Sequence, residues 1–141
     1  MDPSQTAEAL IGMWRLVEHC NWDSNGAQFH QFGPEPVGYF FFDRGGHFCV
    51  QIMRLPPVRP FQAGPDAASP GELADVFRAC YSAAGKFTVD AANSVIVCRA
   101  EASTRPELVG SDVSLPFRLE GGALIVGDGK TWHRLWVRVR M

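Results

Sequence analysis

The sequence predicts an all-β domain, an antiparallel barrel of about eight to ten strands with one helix in the middle of the chain. Three observations carry this. Gly (14) and Pro (10) fall between short runs that alternate in polarity, as they do in β proteins. Short turn sequences, Asp43-Arg44-Gly45-Gly46, Asp90-Ala91-Ala92-Asn93 and Glu120-Gly121-Gly122, link neighbouring runs as hairpins. So many short strands would expose many edges, and closure into a barrel removes them. A barrel of about eight strands has room for one small ligand.

The elements follow in order. Met1 to Gln5 is polar and acidic, with neither a basic stretch nor an apolar run, so it does not read as a secretory signal. Residues 13–20 place Trp14, Leu16 and Cys20 on one face and Arg15 and His19 on the other. Asn25-Gly26 marks a turn before the Phe29 region. Residues 37–42 (VGYFFF) are apolar on both faces, and 47–55 alternate Phe48, Val50 and Ile52 against His47, Cys49, Gln51 and Met53. Residues 54–70 hold half of the prolines and read as an ordered loop at the barrel mouth.

Ser69-Pro70-Gly71-Glu72 is a capping box with Pro at the first helical position. After it, Leu73, Val76, Phe77, Cys80, Tyr81 and Ala84 recur at helical spacing, and Gly85 reads as the stop, giving an amphipathic helix near 71–84. Further strands are expected at 86–90, 94–102, 112–119, 123–127 and 131–140, with Pro116 marking an edge or a bulge. In the last strand His133, Leu135, Val137 and Val139 share one face, and Trp132, Arg134, Trp136, Arg138 and Arg140 the other.

With 141 residues the chain fits one domain, 1–141. Its 46% hydrophobic content, ten Phe, four Trp and two Tyr argue against disorder. A net charge of −2 with dispersed Lys and Arg argues against nucleic-acid binding. No apolar run reaches the ~20 residues of a spanning helix, so no membrane partner is expected. Cys20, Cys49, Cys80 and Cys98 are widely spaced with no CxxC, which reads as reduced thiols in a cytoplasmic protein. His47 and Cys49 share a strand face but lack further ligands at finger-like spacing, so no metal is expected. Gly127-Asp128-Gly129-Lys130 lacks phosphate-loop spacing and reads as a hairpin turn.

Leu10, then Gly12-Met13-Trp14, resembles the GxW opening of lipocalins and other calycins. Phe32-Gly33-Pro34-Glu35-Pro36-Val37-Gly38-Tyr39, followed by Gly46-His47-Phe48-Cys49-Val50-Gln51-Ile52-Met53-Arg54, is more specific. It resembles the core of the bacterial and fungal lipocalin-like domain family of small calycin-type barrels. The likeness continues through the Ser69-Pro70 helix, Gly85 to Asp90, and Leu135-Trp136. It implies a lipocalin-like (calycin) up-and-down β-barrel and a structural stacking of Arg138 or Arg140 on Trp14. The chain departs from the family where it has Cys98-Arg99 in place of His-His and Leu115-Pro116 in place of Arg-Arg.

A few polar residues on apolar faces are the candidates for chemistry. His133 reads either as an acid/base group or as a core histidine bonded to a backbone carbonyl. His47 and Gln51 on one strand face are candidates to donate to a ligand, or to hold a neighbouring loop. Glu101, beside Arg99, is either a desolvated acid/base carboxylate or half of an outer-face ion pair. Tyr39, Tyr81, Met53, Arg99 and Phe77 complete the expected ligand contacts.

The leading functional reading is a cofactor-independent cyclase, isomerase or dehydratase of secondary metabolism acting on a hydrophobic polyketide- or terpenoid-like intermediate. It would supply shape, water exclusion and one or two polarising donors. The rival is a carrier or sequestering barrel for a small hydrophobic molecule, with a resistance protein binding a toxic metabolite as a third reading. A homodimer is compatible with each.

Overall fold

The structure, a computed structural model, describes residues 2–140. In chain order it has α1 (Pro3–Leu10), β1 (Gly12–Trp22), β2 (Gln28–Phe29), β3 (Val37–Phe42), β4 (His47–Met53) and α2 (Pro70–Ala79). Then come β5 (Cys80–Asp90), β6 (Val95–Ser103), a 3₁₀ turn (Pro106–Leu108), β7 (Asp112–Glu120), β8 (Ala123–Val126) and β9 (Trp132–Arg138). All neighbouring strands are antiparallel. The ladder runs β1-β3-β4-β5-β6-β7-β8-β9 and returns from β9 to β1, a closed eight-stranded up-and-down barrel, with β2 added beside β1.

Two expectations about helices are corrected. The central helix ends at Ala79, and residues 80–84 open β5. In this stretch helical and strand spacings pick out overlapping residues, and the strand prevails because Met53 to His47 pair with Cys80 to Lys86. Gly85 is not a helix stop. A Cβ there would lie 2.0 Å from the Arg99 carbonyl oxygen, where β6 bulges outward at Glu101. The second correction is α1, a helix in addition to the one expected. Asp2-Pro3-Ser4-Gln5 caps it as Ser69-Pro70-Gly71-Glu72 caps α2: in each, the side chain of the first residue accepts from the backbone amide of the fourth, and the side chain of the fourth accepts from the backbone amide of the first.

Pro116 is neither at an edge nor at a bulge. It sits where β7 changes partner: Asp112 to Pro116 face β6, and Phe117 to Glu120 face β8. A residue with no amide hydrogen fits at that joint.

One end of the barrel is sealed. Trp14, Phe42, Ile96 and Leu124 are buried there. The Trp14 Nε1–H donates to the Leu10 carbonyl at 2.9 Å, and the Arg138 guanidinium lies 4.2 Å from the centre of the indole. Arg138 also donates to the carbonyls of Ile11 and Ala9, which fastens α1 beneath the barrel. The other end is ringed by the β2–β3 segment, the proline-rich loop with α2, and the β6–β7 segment. The Glu72 carboxylate holds that loop in place, accepting from the Gln62 amide at 3.1 Å and the Ser69 amide at 2.9 Å.

Candidate ligand site

Between the sealed end and the mouth lies a cavity of about 370 Å³, within the range of small-molecule sites. Its wall is mostly apolar, with Phe40, Phe48, Val50, Ile52, Val126 and Trp136 among the lining residues. The polar side chains gather toward the mouth: His19, Tyr81 and Arg134 in the upper barrel, and Gln31, Arg105 and Glu107 at the rim.

His19 reaches the interior because β1 bulges. Leu16 pairs with Trp136 but Glu18 pairs with Leu135, so one extra residue enters β1 and the alternation flips. His19 then takes the inward direction that alternation from Trp14 and Leu16 assigns to Cys20. It is 2% exposed, its ring meets Phe32 edge-on at 5.0 Å, and it lies opposite Arg134 across the β1–β9 ladder. Burial, reinforced by the Arg134 charge, draws its pKa down from 6.5 to about 3, so the imidazole is neutral at physiological pH.

Arg134 is fixed through Nη1, which donates to the Cys20 carbonyl (2.8 Å), Asn21 Oδ1 (2.7 Å) and its neighbour His133's carbonyl (3.0 Å). Its guanidinium also sits 5.3 Å from the centre of the Trp132 ring. Burial brings its pKa down to about 10, which leaves it a cation. Asp128 holds the preceding turn by accepting from the amides of Lys130, Thr131 and Trp132 and from the Thr131 hydroxyl. These bonds hold its carboxyl well below the usual range, and they set where Trp132 and Arg134 enter the wall. Burial pushes the Tyr81 phenol up, and it pushes the Cys98 thiol up to about 12.

Of the residues expected to form the site, Tyr81 lines this cavity. Phe77 stands outside it on α2, 46% exposed, with the Arg105 guanidinium 4.1 Å from its ring centre, and so flanks the mouth. The others are corrected to the outer wall. His133, on the face of β9 opposite Arg134, has its Nε2 3.9 Å from Glu18 Oε1. Its strand turns the Trp and Arg face inward because Arg138 must meet the buried Trp14. His47 faces outward, 3.3 Å from Asp43 in the β3–β4 turn. Glu101 is the exposed residue of the β6 bulge, and Arg99 pairs with Asp112 at 3.0 Å rather than with Glu101. Tyr39, Gln51 and Met53 come together, but in an apolar groove of about 460 Å³ on the outside of β3 and β4 with Met13, Phe41 and Cys49. Among the described residues no cluster of three or more His, Cys, Asp or Glu is arranged to hold a metal ion.

Sequence reasoning missed His19, Arg134, Trp132, Trp136 and Arg105. The stacking of Arg138 on Trp14, continued by a period of two, was the signal available for the β9 residues. A bulge of one residue leaves no comparable mark, so His19 had none.

A closed barrel sealed at one end, with an apolar interior and polar groups near the mouth, is the architecture of a protein that takes a small hydrophobic ligand. The lipocalin-like domain family model matches residues 11–138, and the chain belongs to that family. No curated protein matches it. Among the described residues no helix is long and apolar enough to cross a membrane.

Proposed function

We propose that this protein is a carrier or sequestering barrel that admits one small, largely apolar molecule through its open end. The observation that supports this best is the chemistry of the interior groups that titrate. His19 at about 3, Tyr81 raised and Cys98 at about 12 hold one protonation state near neutral pH, which suits orienting a ligand better than exchanging protons with it. An enzymatic reading has its own support. Arg134 and Trp136 both line the cavity, and a guanidinium and an indole N–H are donors suited to a developing oxyanion. That would serve a cofactor-free cyclisation, isomerisation or dehydration of a polyketide- or terpenoid-like compound through an enolate. It ranks second because the proton acceptors at hand are a His19 imidazole held at about 3 and the Glu107 carboxylate out at the rim.

Nile red, a neutral apolar dye, tests the binding reading. It should bind saturably at one per chain and quench the fluorescence of Trp132 and Trp136. The substitution Ala100→Phe, which places a ring inside the well, should abolish this while leaving the far-UV spectrum unchanged. Equal binding by the filled variant would locate the dye in the outer groove and sink the proposal.

A further inference from the structure

The interior holds hydrogen-bonding capacity that the chain itself does not use. Among the described residues, the buried side-chain nitrogens with no partner are His19 Nδ1 and Trp136 Nε1, and both belong to residues that line the cavity. Each of these residues is 2% exposed. Burying a polar atom without a partner is unfavourable, so two such atoms around one cavity point to a partner supplied from outside the chain. Arg134 adds to this. The three bonds that fix it all use Nη1, leaving Nε and Nη2 without a partner among the described residues. No carboxylate of those residues lies within ion-pair distance of it. A partly buried cation with no counterion favours an anion. The charged lining residues are Arg134, Arg105 and one acid, Glu107 at the rim, which leaves the cavity net positive.

We infer that the ligand is an amphipathic acid whose carboxylate accepts hydrogen bonds from Arg134 and the Trp136 indole N–H while its apolar body fills the well. This rests on the interior being the ligand site. A neutral His19 complements it, since in the tautomer protonated at Nδ1 the ring donates as well and adds no competing charge. Tyr81, four strands away on β5, brings a phenol to the same cavity, close enough to Arg134 for that charge to act on it. The cavity of about 370 Å³ is of small-molecule size and leaves room for a medium-length alkyl chain.

Three probes with one tail and different heads make the test: decanoate, decan-1-ol and decylamine, titrated at pH 8 by tryptophan fluorescence and calorimetry. Decanoate should bind about 10–100-fold more tightly than decanol, the worth of a hydrogen bond to a charged group, and decylamine should bind most weakly. Arg134→Met should erase the preference for decanoate. Because Arg134 also ties β9 to β1, Trp136→Phe serves as the second variant. It removes the N–H donor together with the five-membered ring, which enlarges the well for all three probes alike, so the readout is relative: decanoate should weaken about tenfold more than decanol. Equal affinity for decanoate and decanol, or a preference that survives both substitutions, overturns the inference but leaves the carrier reading intact. Binding of none of the three while Nile red still occupies the well also overturns it. Failure of Nile red as well as the three probes removes the carrier reading itself.

Discussion

His19→Gln should change how folding stability depends on pH. The folded protein keeps the His19 imidazole neutral down to about pH 3, whereas the unfolded chain protonates it below 6.5. The unfolded state therefore binds more protons between these values. His19 imposes no penalty above about pH 6.5, an increasing one as the pH falls, and no further loss below about pH 3. At pH 5 the unfolded side chain is almost fully protonated and the folded one is not, which costs about 2 kcal/mol relative to pH 8. Carboxylates held below their usual range, Asp2, Asp43, Glu72, Asp90 and Asp128, have reference values of 4.5 or less, so their contributions are lost mainly at lower pH. Urea unfolding of both proteins at pH 8 and pH 5, followed by tryptophan fluorescence, gives the comparison. His30, His47 and His133 are present in both and cancel. The wild type should lose about 2 kcal/mol more than the variant between the two pH values. Parallel losses would refute the burial of a neutral imidazole and, with it, the inward turn produced by the β1 bulge.

Two further outcomes follow from the packing. Gly85→Ala should destabilise the barrel by roughly 3 kcal/mol, because the new methyl would lie 2.0 Å from the Arg99 carbonyl and force β5 and β6 apart; a shift of the urea midpoint near zero would contradict that close approach. Iodoacetamide at pH 8, read by peptide mass spectrometry, should modify exposed Cys49 and leave Cys98, whose thiol is pushed up to about 12, untouched until the protein unfolds.

The strands and their closure were legible in the sequence because alternation and turn residues are local signals. Residues 47–53 and 112–120 illustrate this, each with its apolar set on the inner face. The site was less legible, for three physical reasons. In β9, apolarity favours His133, Leu135 and Val137 as the inner face, yet the inner face carries Trp132, Arg134 and Trp136, whose large rings and aliphatic stems supply the packing. In β1 a single inserted residue inverts the alternation, which exchanges Cys20 for His19. In β3 both faces are apolar, so polarity alone does not separate Tyr39 outside from Phe40 inside, and in β4 His47 and Gln51 read as ligand donors although they lie on its polar, outer face. Tyr81 was placed in the site although its backbone was read as helix, since both readings turn the phenol inward.

The seal formed by Trp14, Arg138 and α1 gives the barrel a single doorway. In the proposed carrier, arrival and departure would share that one route, so an incoming molecule would have to wait for the resident to leave, with no rear exit through which to displace it. Exchange should therefore follow a strict one-in, one-out order. Its tempo is set by the rim segments, where the Glu72-anchored loop and the Arg105–Phe77 stack stand beside the threshold. Loosening the rim would quicken traffic in both directions and leave the equilibrium occupancy nearly as it was.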